Sequence, residues 1–133
     1  MILLDTQVLM WSTESDPRLG ELARAALKNG EVNRELAVSA ITFWEIAQLA
    51  RRSRIQILAS ASAWRRTLLA NGLIELPFDG AVAIASVELE GLHKDPADRF
   101  IAATALAHDA TLVTADEKLL AWQAPVVRID ARR

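Results

Sequence analysis

The chain has 133 residues, of which 52% are apolar and 24% charged, with a formal net charge of −2. That length and composition exclude a disordered segment and admit a single globular domain, residues 1–133, with a sizeable core. The absence of cysteine excludes disulfides and thiolate zinc sites, and two histidines are too few for most histidine-based metal centres.

The apolar run 2–4, closed by Asp5, reads as a short buried strand. Residues 6–11 open a short helix. Asp16-Pro17 has the form of an N-cap followed by a first-turn proline, which predicts a helix over 17–29 ended by Gly30. Residues 36–39 form the second strand. Thr42-Phe43-Trp44-Glu45 has the spacing of a capping box and predicts a helix to about Arg52, with Glu45 in its first turn. A further helix is expected over 59–70, stopping near Asn71-Gly72. Residues 73–76 form the third strand and 80–90 a helix. Asp95-Pro96 repeats the cap-plus-proline signal before a long apolar helix, 96–108. Residues 111–114 form the fourth strand, Asp116 caps a short helix to Ala121, and Val126-Val127 marks a weak edge strand. No apolar stretch approaches the ~18 residues of a membrane span. The opening run has no basic residues before it and meets an acid at position 5, unlike a secretion signal, so a cytoplasmic location is expected.

Short apolar strands alternating with helices predict an α/β fold with a mostly parallel sheet of four to five strands. In such a sheet the strand ends and the starts of the following helices share one edge, where ligands bind. Asp5 and Asp116 follow strands directly. Glu45 lies near the start of the helix after the second strand, and Asp98 near the start of a helix that runs antiparallel to the sheet. Four acids far apart in sequence are therefore expected at one crevice. Together they would form an oxygen-only site for a hard divalent ion, and such a site points to phosphodiester chemistry. Three of the four also have a local explanation, because Glu45, Asp98 and Asp116 all have capping geometry. Asp5 has less of one, since serine or asparagine would cap without repulsion. Glu45 lies in the row Ile41–Glu45–Leu49, where a carboxylate is partly desolvated unless paired. Asp16 and Asp79 suit helix starts equally well, so capping alone does not separate them from the four.

The stretches around these acids resemble the PIN-domain ribonucleases, and most closely the VapC-type toxins of bacterial type II toxin–antitoxin pairs. They are Leu3-Leu4-Asp5-Thr6-Gln7-Val8-Leu9-Met10-Trp11, Ser39-Ala40-Ile41-Thr42-Phe43-Trp44-Glu45-Ile46-Ala47, His93-Lys94-Asp95-Pro96-Ala97-Asp98-Arg99-Phe100-Ile101-Ala102-Ala103 and Leu112-Val113-Thr114-Ala115-Asp116. All four occur in the group's order and span nearly the whole chain. The resemblance implies a PIN-like three-layer α/β/α sandwich. It also implies Mg2+- or Mn2+-dependent hydrolysis of RNA. Asp5 and Asp98 would be the main metal ligands, with Glu45 and Asp116 completing the shell or orienting water. Thr6 and Thr114 would support the acids through hydrogen bonds. Asp95 reads first as an N-cap. A cognate VapB-type antitoxin and a homodimer are implied as well, seated on the helices at 17–29 and 42–52.

Contact with RNA requires cations, and the candidates are Arg51, Arg52 and Arg54, with Arg99 beside Asp98 open to a neighbouring acid or to phosphate. Arg65 and Arg66 are expected to be solvated, the tryptophans to be mostly packed, and His93 and His108 to be structural. Two other readings remain at this stage: a catalytically silent PIN-like module that binds RNA or protein, and a receiver-like signalling domain. The second is disfavoured because Lys118 follows Asp116 almost immediately.

Overall fold

A computed structural model describes residues 1–57 and 60–133. In chain order the elements are β1 (Ile2–Leu4), α1 (Thr6–Thr13), α2 (Glu21–Val32), β2 (Leu36–Ser39), α3 (Ala40–Arg51), α4 (Ala61–Ala70), β3 (Ile74–Leu76), α5 (Gly80–Glu88), α6 (Pro96–Ala107), β4 (Thr111–Thr114), α7 (Glu117–Ala121) and β5 (Arg128–Asp130). The first residues of the helix expected over 59–70 lie partly outside the described residues.

The five strands form one sheet in the order β3-β2-β1-β4-β5, and every pairing is parallel. Alternate residues point to opposite faces. Leu4, Val38 and Val113 meet α1, α2 and α3 through Val8, Leu27 and Ile46. Leu3, Ala37 and Leu112 meet α6 and α7 through Ile101, Ala105 and Leu119. The result is three layers with an apolar core on each side of the sheet. The chain builds outward from β1 through β2 to β3, then returns to place β4 on the other flank of β1. The strand order therefore reverses between β1 and β4, and a crevice opens there at the strands' carboxyl ends.

Several local expectations are revised. Asp16-Pro17 does not start α2. Instead Asp16 accepts from the Arg18 backbone N–H and guanidinium, at 2.9 and 2.7 Å, and the helix begins after Gly20. A Cβ on Gly20 would lie 2.1 Å from the backbone of Arg133, which runs across the start of the helix. Gly30 sits inside α2 rather than ending it, because a Cβ there would meet Leu36 and Ile2 at 2.7 and 2.9 Å. Helix α2 thus lies tight against the sheet, and this close approach selects glycine over the propensity cost of ~1 kcal/mol. Thr42 does not cap α3. Ser39 does, accepting from the Ile41 N–H at 3.2 Å, so Glu45 falls in the second turn. The last strand pairs through Arg128–Asp130, just beyond Val126-Val127. No helix among the described residues is long and apolar enough to cross a membrane.

Candidate functional site

Asp5 ends β1 and Asp116 follows β4, so the two flank the reversal point of the sheet. Asp5 caps α1, its Oδ1 accepting from the Thr6 N–H at 2.8 Å. Its Oδ2 accepts from the Thr114 hydroxyl at 2.7 Å. The Thr114 oxygen in turn accepts from the Asp116 N–H at 3.0 Å. One buried hydroxyl thereby joins the two acids across neighbouring strands.

Glu45 enters from α3 and accepts from the Thr6 hydroxyl at 2.6 Å. The Thr6 and Thr42 hydroxyls are 2.9 Å apart. Thr6 has one proton and gives it to the carboxylate, so Thr42 must donate to Thr6. Thr42 and Thr114 are fully buried and Thr6 nearly so. The capping-box pattern concealed this role of Thr42.

Asp98 enters from the other side. Its N–H is capped by Asp95 Oδ1 at 3.3 Å, but its own carboxylate does not cap in return. Asp98 Oδ2 lies 2.7 Å from His93 Nε2. Potential ligand atoms of His93, Asp98 and Asp116 all lie within 4.8 Å of one another, a spacing that one metal ion can bridge. These three residues line an open cavity of about 550 Å³ together with Asp95, Lys94 and Lys118. Asp116 also caps α7, accepting from the Leu119 N–H at 2.9 Å. The control acids fall elsewhere: Asp16 pairs with Arg18, and Asp79 caps α5 beyond the outer strand β3.

The electrostatics follow from this crowding. Burial pushes the Asp5 carboxyl up, and repulsion from Asp116 and Asp95 adds to it. Burial also raises Glu45, with repulsion from Asp5, Asp98 and Asp95. Asp98 is raised to about 6, first by desolvation and then by Asp5, Asp116 and Asp95. Hydrogen bonds from Thr114, Thr6 and His93 each oppose the rise without cancelling it. A set of carboxylates that resist ionisation side by side fits a hard divalent cation, whose charge removes the repulsion.

The cations are distributed differently from the sequence expectation. Arg99 is not available to phosphate. Its five N–H groups donate to the backbone carbonyls of Ser86, Leu92, His93, Val87 and Leu89, at 2.7–3.2 Å. This uses every donor that a guanidinium has. Arg51 and Arg52 are exposed but close the far end of α3, about 9 Å along the axis from Glu45. Lys94 and Lys118, which sequence reasoning did not select, stand at the cavity itself. Arg65 pairs with Glu75 at 2.7 Å. Trp11 and Trp122 are buried, whereas Trp44 is exposed.

The model of the PIN domain matches residues 2–122. The chain belongs to the PIN-domain family. Within it, the chain is 36% identical over 125 residues to Ribonuclease VapC22 of Mycobacterium tuberculosis (strain ATCC 25618 / H37Rv), covering 93% of both proteins. VapBC2 from Rickettsia felis, solved bound to a DNA fragment from its promoter, superposes with a TM-score of 0.71 at 21% identity, over 97% of this chain and 98% of that one. A toxin–antitoxin complex from Klebsiella pneumoniae superposes with a TM-score of 0.65 at 24% identity, over 96% of each chain. At those identities the likeness concerns the fold, and the parallel α/β/α sandwich of this PIN domain agrees with it.

Proposed function

We propose that the chain, as one PIN domain over residues 1–133, is a metal-dependent endoribonuclease and the toxin of a type II toxin–antitoxin pair acting in the cytoplasm. The observation that carries this reading is the approach of Asp98 and Asp116, whose carboxylate oxygens come within 4.8 Å of each other at the open cavity, with Asp5 near enough to repel both and Glu45 near enough to repel Asp98. The ribonuclease name of VapC22, at 36% identity over nearly the full length, supports the reaction class.

Asp5, Glu45, Asp98 and Asp116 would hold Mg2+ or Mn2+, both of which favour carboxylate oxygen. The bound cation would supply Lewis acidity and offset charge at the scissile phosphate. Thr6 and Thr114 donate to one oxygen of Glu45 and of Asp5, and would thereby fix how these carboxylates present their second oxygens. Glu45 and Asp116 would complete the shell or orient the water that attacks the RNA phosphate. Lys94 and Lys118 would hold the phosphates nearest the cut, and Arg51 and Arg52 a more distant stretch of backbone.

The partner would be a VapB-type antitoxin that fills the crevice with an arginine-bearing segment. A second surface suits its helix: a groove of about 450 Å³ between α1, α2 and α4, floored by Leu9, Leu27 and Leu68 and rimmed by Arg24 and Lys28. Leu22 on α2 and Trp44 on α3, two of several exposed large apolar side chains, would offer apolar contact to the antitoxin or to a second copy in a homodimer.

The test is cleavage of cellular RNA by purified protein with Mg2+ or Mn2+, with 5′-end mapping. Wild type should cut, whereas EDTA or Asp5→Asn should lower the rate more than about a hundredfold, as expected for loss of the ion or of a direct ligand. Equal cleavage by wild type and Asp5→Asn, or insensitivity to EDTA, would overturn the reading.

A further inference from the structure

Between the end of α5 and the start of α6, residues 89–95 form a connection with no helix or strand of its own. It is nonetheless tied down along its length. Arg99, in the first turn of α6, draws in the carbonyls of Leu89 at 2.7 Å, Leu92 at 2.9 Å and His93 at 3.1 Å. The same guanidinium accepts no substitute easily, because its other donors hold Ser86 and Val87 at the end of α5. The Trp122 indole N–H donates to the Glu90 carbonyl at 2.8 Å. Five charge-assisted bonds from one side chain are far more than a solvated loop needs. Their effect is to set the His93 ring against Asp98, the residue immediately before the arginine.

The ring geometry fixes the direction of that contact. His93 Nε2 is 2.7 Å from Asp98 Oδ2, while Nδ1 is buried with no hydrogen-bond partner among the described residues. A carboxylate that holds a cation can only accept, so in the ion-bound site Nε2 must carry the proton. The bare Nδ1 lone pair is then the less costly of the two groups to leave unpartnered, since an orphaned N–H is rarer in buried sites. His93 occupies Oδ2, so Asp98 keeps a second oxygen at the cavity it lines together with Asp116.

We propose that His93 is a positioning residue that orients the ion-holding carboxylate of Asp98, with Arg99 as the clamp that delivers it. This rests on the divalent-ion reading above and deepens it. Carboxylates that ligate ions are themselves commonly oriented by hydrogen bonds, and loss of such a partner typically weakens ion binding 10–100-fold.

The test is Mn2+ affinity, read from the electron paramagnetic resonance signal of free Mn2+, for wild type, Asp98→Asn, His93→Asn and His93→Gln. Glutamine places an amide N–H near the Nε2 position, whereas asparagine reaches only to Nδ1. Thermal melts without metal check that each variant is folded. His93→Asn should weaken Mn2+ binding about 10–100-fold, and His93→Gln should recover to within about threefold of wild type. Spin-echo spectra of the wild-type complex should show no directly bound nitrogen. If His93→Asn binds like wild type while Asp98→Asn does not, the positioning role is overturned and the ion site stands. Equal losses in His93→Asn and His93→Gln, or a bound-nitrogen coupling, also overturn it, because the ring would then act as packing or as a ligand. If wild type binds no Mn2+, the ion reading itself falls, and this proposal with it.

Discussion

Asp5 and Glu45 are held by hydroxyls rooted in the core, whereas Asp98 is held by an imidazole carried on an irregular connection. On the first side, Thr6, Thr42 and Thr114 are buried at the sheet edge and reach their acids without crossing solvent. Their positions are set by α1, α3 and β4, elements that cannot shift without opening the core. On the second side, His93, Lys94 and Asp95 reach the cavity from a segment whose place depends on Arg99. The first side is a rigid seat and the second a clamped wall. A cluster of carboxylates is thus held on one side by packed elements and on the other by one side chain, Arg99, whose donors all go to backbone carbonyls.

Arg99→Ala should have the largest effect on the clamped side. It strips five carbonyls of their donor and should cost about 3 kcal/mol of stability, with the 89–95 segment gaining amide exchange before the rest of the chain. Global unfolding without a local effect on 89–95 would contradict the clamp.

Thr6→Val attacks the rigid side. It removes the donor to Glu45 and leaves the buried Thr42 hydroxyl without its acceptor, for about 2 kcal/mol in chemical denaturation. Thr6→Ser keeps the hydroxyl and should lose less than half as much.

Asp98→Asn acts in the opposite direction. The folded carboxyl is held near pH 6 against an ordinary value of 3.8. The folded state therefore binds the proton more tightly, and stability falls as pH rises from about 4 to about 6. Asparagine removes that loss. In metal-free protein at pH 7 the variant should gain about 1–2 kcal/mol, a shift of several degrees in Tm, after allowance for partial solvent screening. The gain should vanish near pH 4, and added Mg2+ should stabilise wild type only. A Tm difference that does not change with pH would refute the assignment of strain to this carboxylate.

Arg51→Ala with Arg52→Ala should have the smallest effect on the fold, less than about 0.5 kcal/mol, because both side chains are exposed at a helix end. If they track RNA, the slope of binding affinity against salt should fall by about two charges' worth. An unchanged slope would confine phosphate contact to Lys94 and Lys118 at the cavity.

Much of the molecule was legible in its residues. Apolar runs of three or four residues closed by Asp5, Ser39 or Asp116 declared strands and their ends, and Asp95-Pro96 declared the start of α6. These signals are local: capping, proline geometry and apolar periodicity act within one or two turns. The four acids could be named for the same reason, since each sits at such a boundary. Other features depended on what the folded chain brings alongside. Gly30 looked like a helix end until the close approach of Ile2 and Leu36 explained it. Thr42 looked like a cap until Thr6, 36 residues away, proved to be its partner. His93 and Arg99 looked like a structural histidine and a phosphate contact, and their true partners are a carboxylate and five carbonyls. The sequence by itself determined the strands, most of the helices and the acids. The order β3-β2-β1-β4-β5 decided which of those acids meet and which donors serve them, because a hydrogen bond acts over about 3 Å and only the tertiary fold brings residues as far apart as Asp5 and Thr114 to that distance.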